Sequence, residues 1–392
     1  MSVKRILILT FFYTPDLSAG SFRAAAFVRA LQKMRHEDLE IDVLTTMPNR
    51  YQSFKAEASK FEQVNNVTIR RFELKGHKRD FLDYPLCFAS YARQVLKHTR
   101  GETYDIVFAT SGRFMTAALG ASIVRKRQAP LYLDIRDIFT DTMNDVLAKP
   151  LKIFLLPIFR LLESYTLRSA TIINLVSKGF AEYFSSYNSK SPLRFFTNGI
   201  DSEFLEYDFQ SPPTQGNRNV ILVAGNIGEG QGLEKIIPQA ADLLSEQFDI
   251  VVIGDGRRRS KLVERCLGKE NVKIIAPVNR EELKRHYSNA DILLMHLNDY
   301  DAFKKVLPSK IFEYAATGKP ILAGVSGYAA EFTRQYVENA AVFKPCDAQS
   351  MASQLRSLDL SSRQREEFKE LFSRTNIMED MACDVLSLLG SA

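Results

Sequence analysis

The residues best suited to bind a charged ligand lie in one short stretch, 307–322, which reads LPSKIFEYAATGKPIL. Ser309 is a favourable N-cap for a helix, and Gly318 suits the left-handed residue that ends one. The start of such a helix can hold a phosphate, and Lys310 adds a positive charge there. Glu313, about one turn further on, could accept hydrogen bonds from a ribose diol. The stretch predicts a diphosphate site beside a sugar-hydroxyl site; the alternative is an ordinary capped surface helix.

Two glycine-containing loops supply a second group of candidates. The apolar run 219–224 is followed by GNIGEGQG at 225–232, and a helix is predicted from Leu233. A second apolar run, 249–253, is followed by Gly254 and Asp255. Glycines let backbone N–H groups approach phosphates closely. The spacing is not the G-x-G-x-x-G of dinucleotide-binding proteins, so that alternative has little support.

A third candidate is the stretch 131–139, LYLDIRDIF. A buried strand that ends in charged residues is costly unless the charges face a cleft or pair with a partner. The Arg136 guanidinium could bind a diphosphate, and Asp134 or Asp137 could orient an acceptor hydroxyl. The alternative is a structural arginine–aspartate ion pair.

The pattern of strands and helices explains how these residues meet. A strand at 4–10, a loop and a helix at 23–34 are typical of the start of a doubly wound α/β domain. Such sheets bind ligands at the carboxyl ends of their strands. Gly20 and Arg23 after the first strand, and Ser111 after the strand 106–110, are therefore further candidates; the alternative at the first loop is a plain strand–helix turn.

Bulk properties limit the classes of protein. A chain of 392 residues suggests two domains, and no apolar run approaches the ~20 residues of a membrane span. The four cysteines lie far apart without a C-x-x-C pair, which indicates reduced thiols in a cytoplasmic protein and argues against a zinc site.

The charge is unevenly distributed along the chain. Residues 1–200 hold 29 Lys and Arg against 18 Asp and Glu, or +11, and the remainder holds 23 against 28, or −5, which together give the net +6. The basic first half predicts an anionic partner. We favour a membrane surface over nucleic acid. The segments 77–86 and 149–160 mix apolar and basic residues and could lie among lipid headgroups; the alternative for 149–160 is a core helix kinked by Pro157.

These motifs resemble the retaining glycosyltransferases of the GT-B fold, family 4 type. Residues 313–321, EYAATGKPI, match the family motif Glu-Ala-x-Ala-x-Gly-x-Pro-Val. The Pro-Ser-Lys stretch before it, the glycine loop and the Asp-x-Arg-Asp stretch resemble the branch of L-fucosaminyl transferases of O-antigen and capsule synthesis. Two positions depart from the family pattern: Lys305 replaces a first glutamate, and Gln231 replaces a lysine of the glycine loop.

The resemblance implies an α/β fold with two Rossmann-like doubly wound domains facing a cleft. We expect an acceptor-side domain at 1–205, a nucleotide-sugar domain at 206–370, and a C-terminal helix, 371–392, that crosses back to the first domain. The implied site residues fall into three groups. They are Arg136, Asp137 and Lys310 for catalysis; Gly225, Asn226, Gly228, Gln231, Gly254, Asp255, Pro277, Val278, Ser309, Lys310 and Glu313 for the nucleotide sugar; and Gly20, Arg23, Ser111 and Asp134 for the acceptor side.

The implied activity is retaining transfer of a hexosyl or N-acetylhexosaminyl group (EC 2.4 class). We expect a UDP-sugar donor that carries an N-acetylated deoxyhexosamine, and a lipid-diphosphate-linked saccharide acceptor. No metal or other cofactor is expected, and the predicted location is peripheral, on the inner face of the cytoplasmic membrane. The alternatives are a nucleotide-sugar 2-epimerase and a non-catalytic sugar-nucleotide-binding partner.

Overall fold

The chain forms two compact units. The computed structural model describes residues 3–34, 38–49, 57–74, 83–126, 128–147, 149–187, 190–209 and 218–390, and for residues 83, 84, 145 and 146 it describes the backbone only. The first unit comprises Met1–Asn198 and Arg374–Ala392, and the second comprises Gly199–Ser373.

The first unit is built on a sheet in the order β3-β4-β2-β1-β5-β6-β7-β8, parallel except for the antiparallel edge strand β3. Its strands are β1 (Lys4–Leu9), β2 (Leu39–Thr46), β3 (Phe61–Val64), β4 (Val67–Phe72), β5 (Ile106–Thr110), β6 (Leu131–Ile135), β7 (Ile172–Leu175) and β8 (Leu193–Arg194). Its helices are α1 (Ala19–Met34), α2 (Asp83–His98), α3 (Phe114–Val124), α4 (Phe139–Val146), α5 (Lys149–Arg168), α6 (Ala181–Ser185) and α15 (Arg374–Ser387).

The second unit has a parallel sheet in the order β11-β10-β9-β12-β13-β14. Its strands are β9 (Asn219–Ala224), β10 (Phe248–Ile253), β11 (Val272–Ile275), β12 (Ile292–His296), β13 (Ile321–Gly324) and β14 (Ala340–Phe343). Its helices are α7 (Ser202–Leu205), α8 (Leu233–Leu243), α9 (Arg259–Arg265), α10 (Arg280–Asn289), α11 (Lys310–Ala316), α12 (Tyr328–Tyr336), α13 (Ala348–Ser357) and α14 (Glu366–Leu371).

Both sheets are doubly wound. From the first strand of each unit the chain builds outward on one side and then returns to the other, so the order reverses between β1 and β5 and between β9 and β12. The strands read as continuous apolar runs because helices cover both faces of a parallel sheet. Β5 and β6, for instance, are buried at every position.

The chain passes from the first unit to the second earlier than predicted, at 198 in place of 205. Ile200 pairs with Ser373, and Arg280 bonds Asp201 at 2.7 Å, so the residues after 198 are held by the second unit. Phe204 is fully buried there against Tyr287.

The C-terminal segment forms two helices, of which the second, α15, lies within the helix predicted for 371–392. Α14 ends at Leu371, and α15 begins at Arg374 and packs on α1, with Met378, Met381 and Val385 fully buried in the core of the first unit. Among the described residues, no helix is both long and apolar enough to cross a bilayer.

Candidate active site

The donor-side candidates of the second unit lie at the carboxyl ends of β9 and β10. Gly225 and Gly254 follow these neighbouring strands, with φ angles of +150° and +155°. A Cβ placed on Gly254 would lie 1.8 Å from the carbonyl oxygen of Gly225. The two loops therefore contact each other at a backbone separation that only glycine permits.

We expect Gly254→Ala to lower the free energy of unfolding of the second unit by about 3 kcal/mol, because the methyl group meets backbone and the φ angle is unfavourable. Gly268→Ala is the matched control: its φ is +77°, but nothing lies within 4 Å of its Cβ position. Urea unfolding of both variants tests the prediction, and equal losses would show that the loop contact contributes nothing beyond backbone strain.

Lys310 lies against the first of these loops. Its Cε is 3.7 Å from the position of a Cβ on Gly225. The ammonium Nζ donates to the Tyr287 hydroxyl at 2.9 Å and to Glu313 Oε2 at 2.5 Å, and the Tyr287 hydroxyl donates to the same carboxylate oxygen at 3.1 Å. The Lys310 side chain is 26% exposed to solvent, and the Glu313 side chain is 12% exposed. A cation and a carboxylate are thus held side by side at the loop, and a ligand can reach both.

The helix that carries this pair begins at the predicted place but not with the predicted cap. Ser309 has a helical φ of −62°, and its side chain makes no capping hydrogen bond. The N–H groups of Ile311 and Phe312 bond the carbonyls of Pro308 and Ser309, so the first turn is tightened and uses N–H groups that we expected to be unpaired. Gly318 adopts the predicted left-handed conformation, with φ +74°. A nucleotide contact by Ser309 stays a prediction.

Within the glycine loop, the side chains of Asn226 and Gln231 bond each other, Nδ2 to Oε1, at 2.8 Å. Gly228 lies in the turn between them and is buried. The loop is held from outside by residues at the end of β12: His296 Nδ1 bonds the Gln231 carbonyl at 2.6 Å, and Asn298 Nδ2 donates to the Glu229 carbonyl at 2.8 Å.

His296 is a structural residue whose ring nitrogens are both used. The Cys346 N–H donates to Nε2 at 2.9 Å, so Nδ1 carries the hydrogen and donates to Gln231. Burial lowers the pKa of His296 to about 4. The hydrogen bond to Gln231 partly opposes this decrease, and the positive charge of nearby Lys235 adds to it.

This pKa predicts acid destabilisation of the second unit. Between pH 6.5 and 4 the unfolded chain binds a proton at this histidine and the folded chain does not, so stability falls as the pH decreases. We expect the loss from this group to reach about 3 kcal/mol. His296→Gln should remove this part of the pH dependence while lowering stability at pH 7. Urea unfolding across the range measures both, and an unchanged pH profile in the variant would contradict the assignment.

The remaining donor-side candidates lie along the same edge of the sheet. Asp255 follows Gly254, and its Oδ1 accepts a hydrogen bond from the N–H of Gly256 at 2.8 Å. Pro277 and Val278 are half-buried after β11, next to the Gly254 loop, whose first N–H bonds the Ile275 carbonyl. The donor-side candidates of the 225–232, 254–255 and 277–278 loops therefore follow the carboxyl ends of three neighbouring strands, β9, β10 and β11.

In the first unit, Arg136 lies at the carboxyl ends of the strands, directly after β6. Its backbone N–H donates to Ser111 Oγ at 2.8 Å, and its side chain lies between two glycines, with Cζ 3.7 Å from a Cβ position on Gly20 and Cδ 3.6 Å from one on Gly112. Nη2 donates to Asn198 Oδ1 at 3.4 Å. Among the described residues, Nη1 is buried without a hydrogen-bond partner. The half-buried guanidinium therefore retains donor capacity for an anionic ligand.

Electrostatic surroundings support this reading of Arg136. Burial lowers its pKa to about 10; Asp134 and Asp137 oppose this, while the like charges of Arg23 and Arg374 contribute to it. The group remains positively charged at neutral pH, but its charge is poorly compensated. An anion here would relieve the repulsion among the arginines.

Arg23 and Asp134 form a buried ion pair and not the acceptor contacts that the sequence suggested. Arg23 Nε and Nη2 donate to the two Asp134 oxygens at 2.9 Å each, and the side chains are 1% and 3% exposed. Asn174 Nδ2 also donates to Asp134, at 2.7 Å, and Arg23 Nη2 reaches the Phe196 carbonyl at 2.8 Å. Burial would raise the pKa of Asp134, but Arg23 outweighs it and the pKa is lowered. The pair joins β6 and α1 to the 196–198 segment.

Ser111, another acceptor-side candidate, is also buried. Its hydroxyl oxygen accepts the hydrogen bond from the backbone N–H of Arg136.

Asp137 differs from Asp134 in its exposure. Its side chain is exposed to solvent, yet surrounding protein raises its pKa to about 6, with Arg136 and Arg113 opposing the shift and Glu163 adding to it. Asp137 is therefore a carboxylate that a ligand can reach. Such a group can exchange a proton near neutral pH.

Two residues of the candidate site carried no signal in the sequence. Tyr287, on α10, holds both Lys310 and Glu313, and Tyr314 accepts the N–H of Ala224 at 2.9 Å and so fixes the end of β9 to α11. Among the residues that the structure describes, no group of three His, Cys, Asp or Glu side chains is placed to hold a metal ion. Independence of metal stays a prediction.

Comparison with known proteins assigns both halves of the chain. Residues 206–371 match the family described as glycosyl transferases group 1, and residues 20–199 match the glycosyl transferase 4-like domain. The chain consists of a glycosyltransferase 4-like domain followed by a group 1 glycosyltransferase domain. The predicted membership among the GT-B glycosyltransferases is therefore confirmed, whereas the L-fucosaminyl transferase branch stays a hypothesis.

Solved structures confirm the GT-B fold of this glycosyltransferase. Sucrose-phosphate synthase from Thermosynechococcus elongatus superposes with a TM-score of 0.78 over 99% of this chain and 100% of that one, at 14% identity. HepE of Anabaena, in complex with UDP-glucose, superposes with a TM-score of 0.67 over 98% of this chain and 99% of HepE, at 15% identity. WaaG, a glycosyltransferase involved in lipopolysaccharide biosynthesis, gives 0.63 over 98% of each chain, also at 15% identity.

One curated relative matches over part of its length. A protein named as a colanic acid biosynthesis glycosyl transferase, WcaI of Escherichia coli (strain K12), is 26% identical over 178 residues. The match covers 43% of this chain and 43% of the relative, so the chain aligns with less than half of that protein.

Proposed function

We propose that this glycosyltransferase moves a sugar from a UDP-sugar to a hydroxyl of a lipid-diphosphate-linked saccharide, with retention of anomeric configuration, in O-antigen or capsule synthesis. The observation that carries the proposal is the Lys310–Glu313 pair, held by Tyr287 against the Gly225 loop. It offers one cation for a diphosphate and one carboxylate for sugar hydroxyls. The complex of HepE with UDP-glucose supports the donor class, and the names of WcaI and WaaG support the pathway.

The proposed chemistry rests on charge stabilisation. The bond between the anomeric carbon and the diphosphate oxygen breaks, and the diphosphate leaves with the electron pair. Lys310 stabilises the charge that develops on it, as a fixed donor does in an oxyanion site. A new bond forms from the acceptor hydroxyl oxygen to the anomeric carbon, and the hydroxyl proton passes to an oxygen of the departing diphosphate. Arg136 is proposed to bind a phosphate group, and Asp137 to orient the acceptor.

Thermal shift against UDP, ADP and GDP tests the donor assignment. We expect UDP to raise the melting temperature more than the other two, with and without EDTA, because no metal is proposed. The resemblance to L-fucosaminyl transferases makes UDP-linked N-acetylated deoxyhexosamines the first donors to try, and NMR of the product would report the anomeric configuration. Stabilisation by NAD, or by no nucleotide, would contradict the donor site.

Transfer must be measured separately from binding. Lys305 stands where the family has a glutamate, so a protein that binds UDP-sugars but neither transfers nor epimerises them would be the non-catalytic partner that the sequence left open. Release of UDP that depends on a lipid-linked acceptor supports the transferase. Conversion of the donor without acceptor would identify a 2-epimerase instead.

A further inference from the structure

Helix α5 exposes an apolar face that the described residues leave uncovered. Leu151, Phe154, Ile158 and Leu161 are 50%, 73%, 58% and 74% exposed, and their spacing of three and four residues places them on one side of the helix. Ile153, at 72%, lies in the neighbouring row. The buried residues of α5 are confined to its last turns: Glu163, Thr166 and Leu167. The earlier turns of the helix therefore pack against the first unit with one side only, and the opposite side exposes apolar side chains to solvent.

The charges around this face are of one sign. Lys149 and Arg160 share the row of Ile153, at spacings of four and seven residues, and both are exposed. Lys152 and Arg168 are the other cations of α5. The single acid, Glu163, is 1% exposed and accepts hydrogen bonds from the Tyr183 and Tyr187 hydroxyls at 2.6 Å each. The exposed part of the helix therefore combines apolar side chains with cations alone.

This combination fits an anionic lipid surface. An interfacial helix buries an apolar face at the boundary between headgroups and acyl chains, and cations beside that face meet the lipid phosphates. A second protein surface would have to supply both an apolar groove and several acids. The net charge of +11 on residues 1–200 favours the membrane as well.

The face is also connected to the acceptor-side site. The Phe159 ring packs against Phe139 at 5.0 Å, and Phe139 stacks on Phe114 at 5.2 Å. Phe139 lies three residues after Arg136, and Glu163 of α5 is close enough to influence the pKa of Asp137. Α4 and α5 together form the connection between β6 and the parallel strand β7, and α4 follows directly on the segment that carries Arg136.

We propose that the first two thirds of α5, residues 149–161, dock the protein on an anionic phospholipid surface and thereby present Arg136 to the headgroup layer. This inference rests on the proposed function only for the lipid-linked nature of the acceptor. It locates the membrane contact on one helix and makes the orientation of the site a consequence of docking.

Cosedimentation of the full chain with vesicles tests the docking. We expect binding to phosphatidylcholine vesicles that contain phosphatidylglycerol, weaker binding to phosphatidylcholine alone, and a decrease at high salt. Phe154→Ser with Ile158→Ser should weaken binding by about tenfold or more. Lys149→Gln with Arg160→Gln should remove most of the preference for anionic vesicles. Because all four side chains are on the surface, circular dichroism should show unchanged folding.

Leu267→Ser is the matched control, since Leu267 is 74% exposed in the second unit and should not affect vesicle binding. Absence of wild-type binding to anionic vesicles, or equal effects of the α5 and Leu267 variants, would overturn the proposal. A dimer in light scattering that the α5 variants convert to a monomer would also overturn the proposal, because the apolar face of α5 would then be covered by a second copy of the chain. Transfer to a water-soluble acceptor without vesicle binding would refute the docking alone, whereas vesicle binding without UDP-dependent stabilisation would refute the proposed function alone.

Discussion

Lys310→Ala is expected to lower kcat/KM for sugar transfer by about 10²- to 10³-fold, the effect of removing one preorganised donor to a developing anion. The loss corresponds to about 3–4 kcal/mol of transition-state stabilisation. Lys310 is the cation that lies against the Gly225 loop, and its removal leaves Glu313 with its bond from Tyr287. Initial rates of UDP release with the preferred donor measure the effect, and thermal unfolding should show a small change because the side chain is partly exposed.

Lys304→Ala provides the matched control for this prediction. Lys304 is nearby in the chain, is exposed, and pairs with Asp301 at 2.6 Å on the surface. We expect a transfer rate within about twofold of the wild type, since an exposed ion pair contributes little. If Lys310→Ala retained a rate similar to that of Lys304→Ala, Lys310 would not stabilise the leaving group, and the diphosphate would have to be held elsewhere.

Arg23→Met is expected to lower the free energy of unfolding of the first unit by about 3–5 kcal/mol. The substitution leaves the Asp134 carboxylate buried without its bidentate partner, although Asn174 still donates to it. It also removes the Arg23 hydrogen bond to the Phe196 carbonyl, where the chain approaches the second unit. Hydrogen exchange during urea titration measures the loss and assigns it to one unit, which a two-unit chain requires.

The double variant Arg23→Met, Asp134→Leu separates pairing from packing. We expect it to lose less stability than the sum of the single variants, because removing both charges leaves none uncompensated. Arg29→Met, at an exposed position on the same helix, should change stability by less than about 0.5 kcal/mol. Strict additivity in the double variant would show that the two charges are not coupled.

The sequence alone predicted much of the architecture and the loops in which we place the proposed donor site. Continuous apolar runs predicted β5 and β9 with the ends that the structure shows, since strands buried on both faces have few alternatives. Gly318 was recognisable because the left-handed conformation that ends a helix favours glycine. The family resemblance depended on such local motifs, and therefore it too could be read from the chain.

Only the tertiary structure decided which charges serve a ligand and which serve the fold. Asp134, Arg136 and Asp137 lie within four residues, yet one is buried against Arg23, one retains an unpaired buried nitrogen among the described residues, and one is exposed. Their partners come from positions over a hundred residues away in some cases, which no local pattern encodes. The same holds for Tyr287, which reaches Lys310 and Glu313 from another helix. Local sequence determines backbone conformation, whereas the environment of a charge depends on residues that only folding brings together.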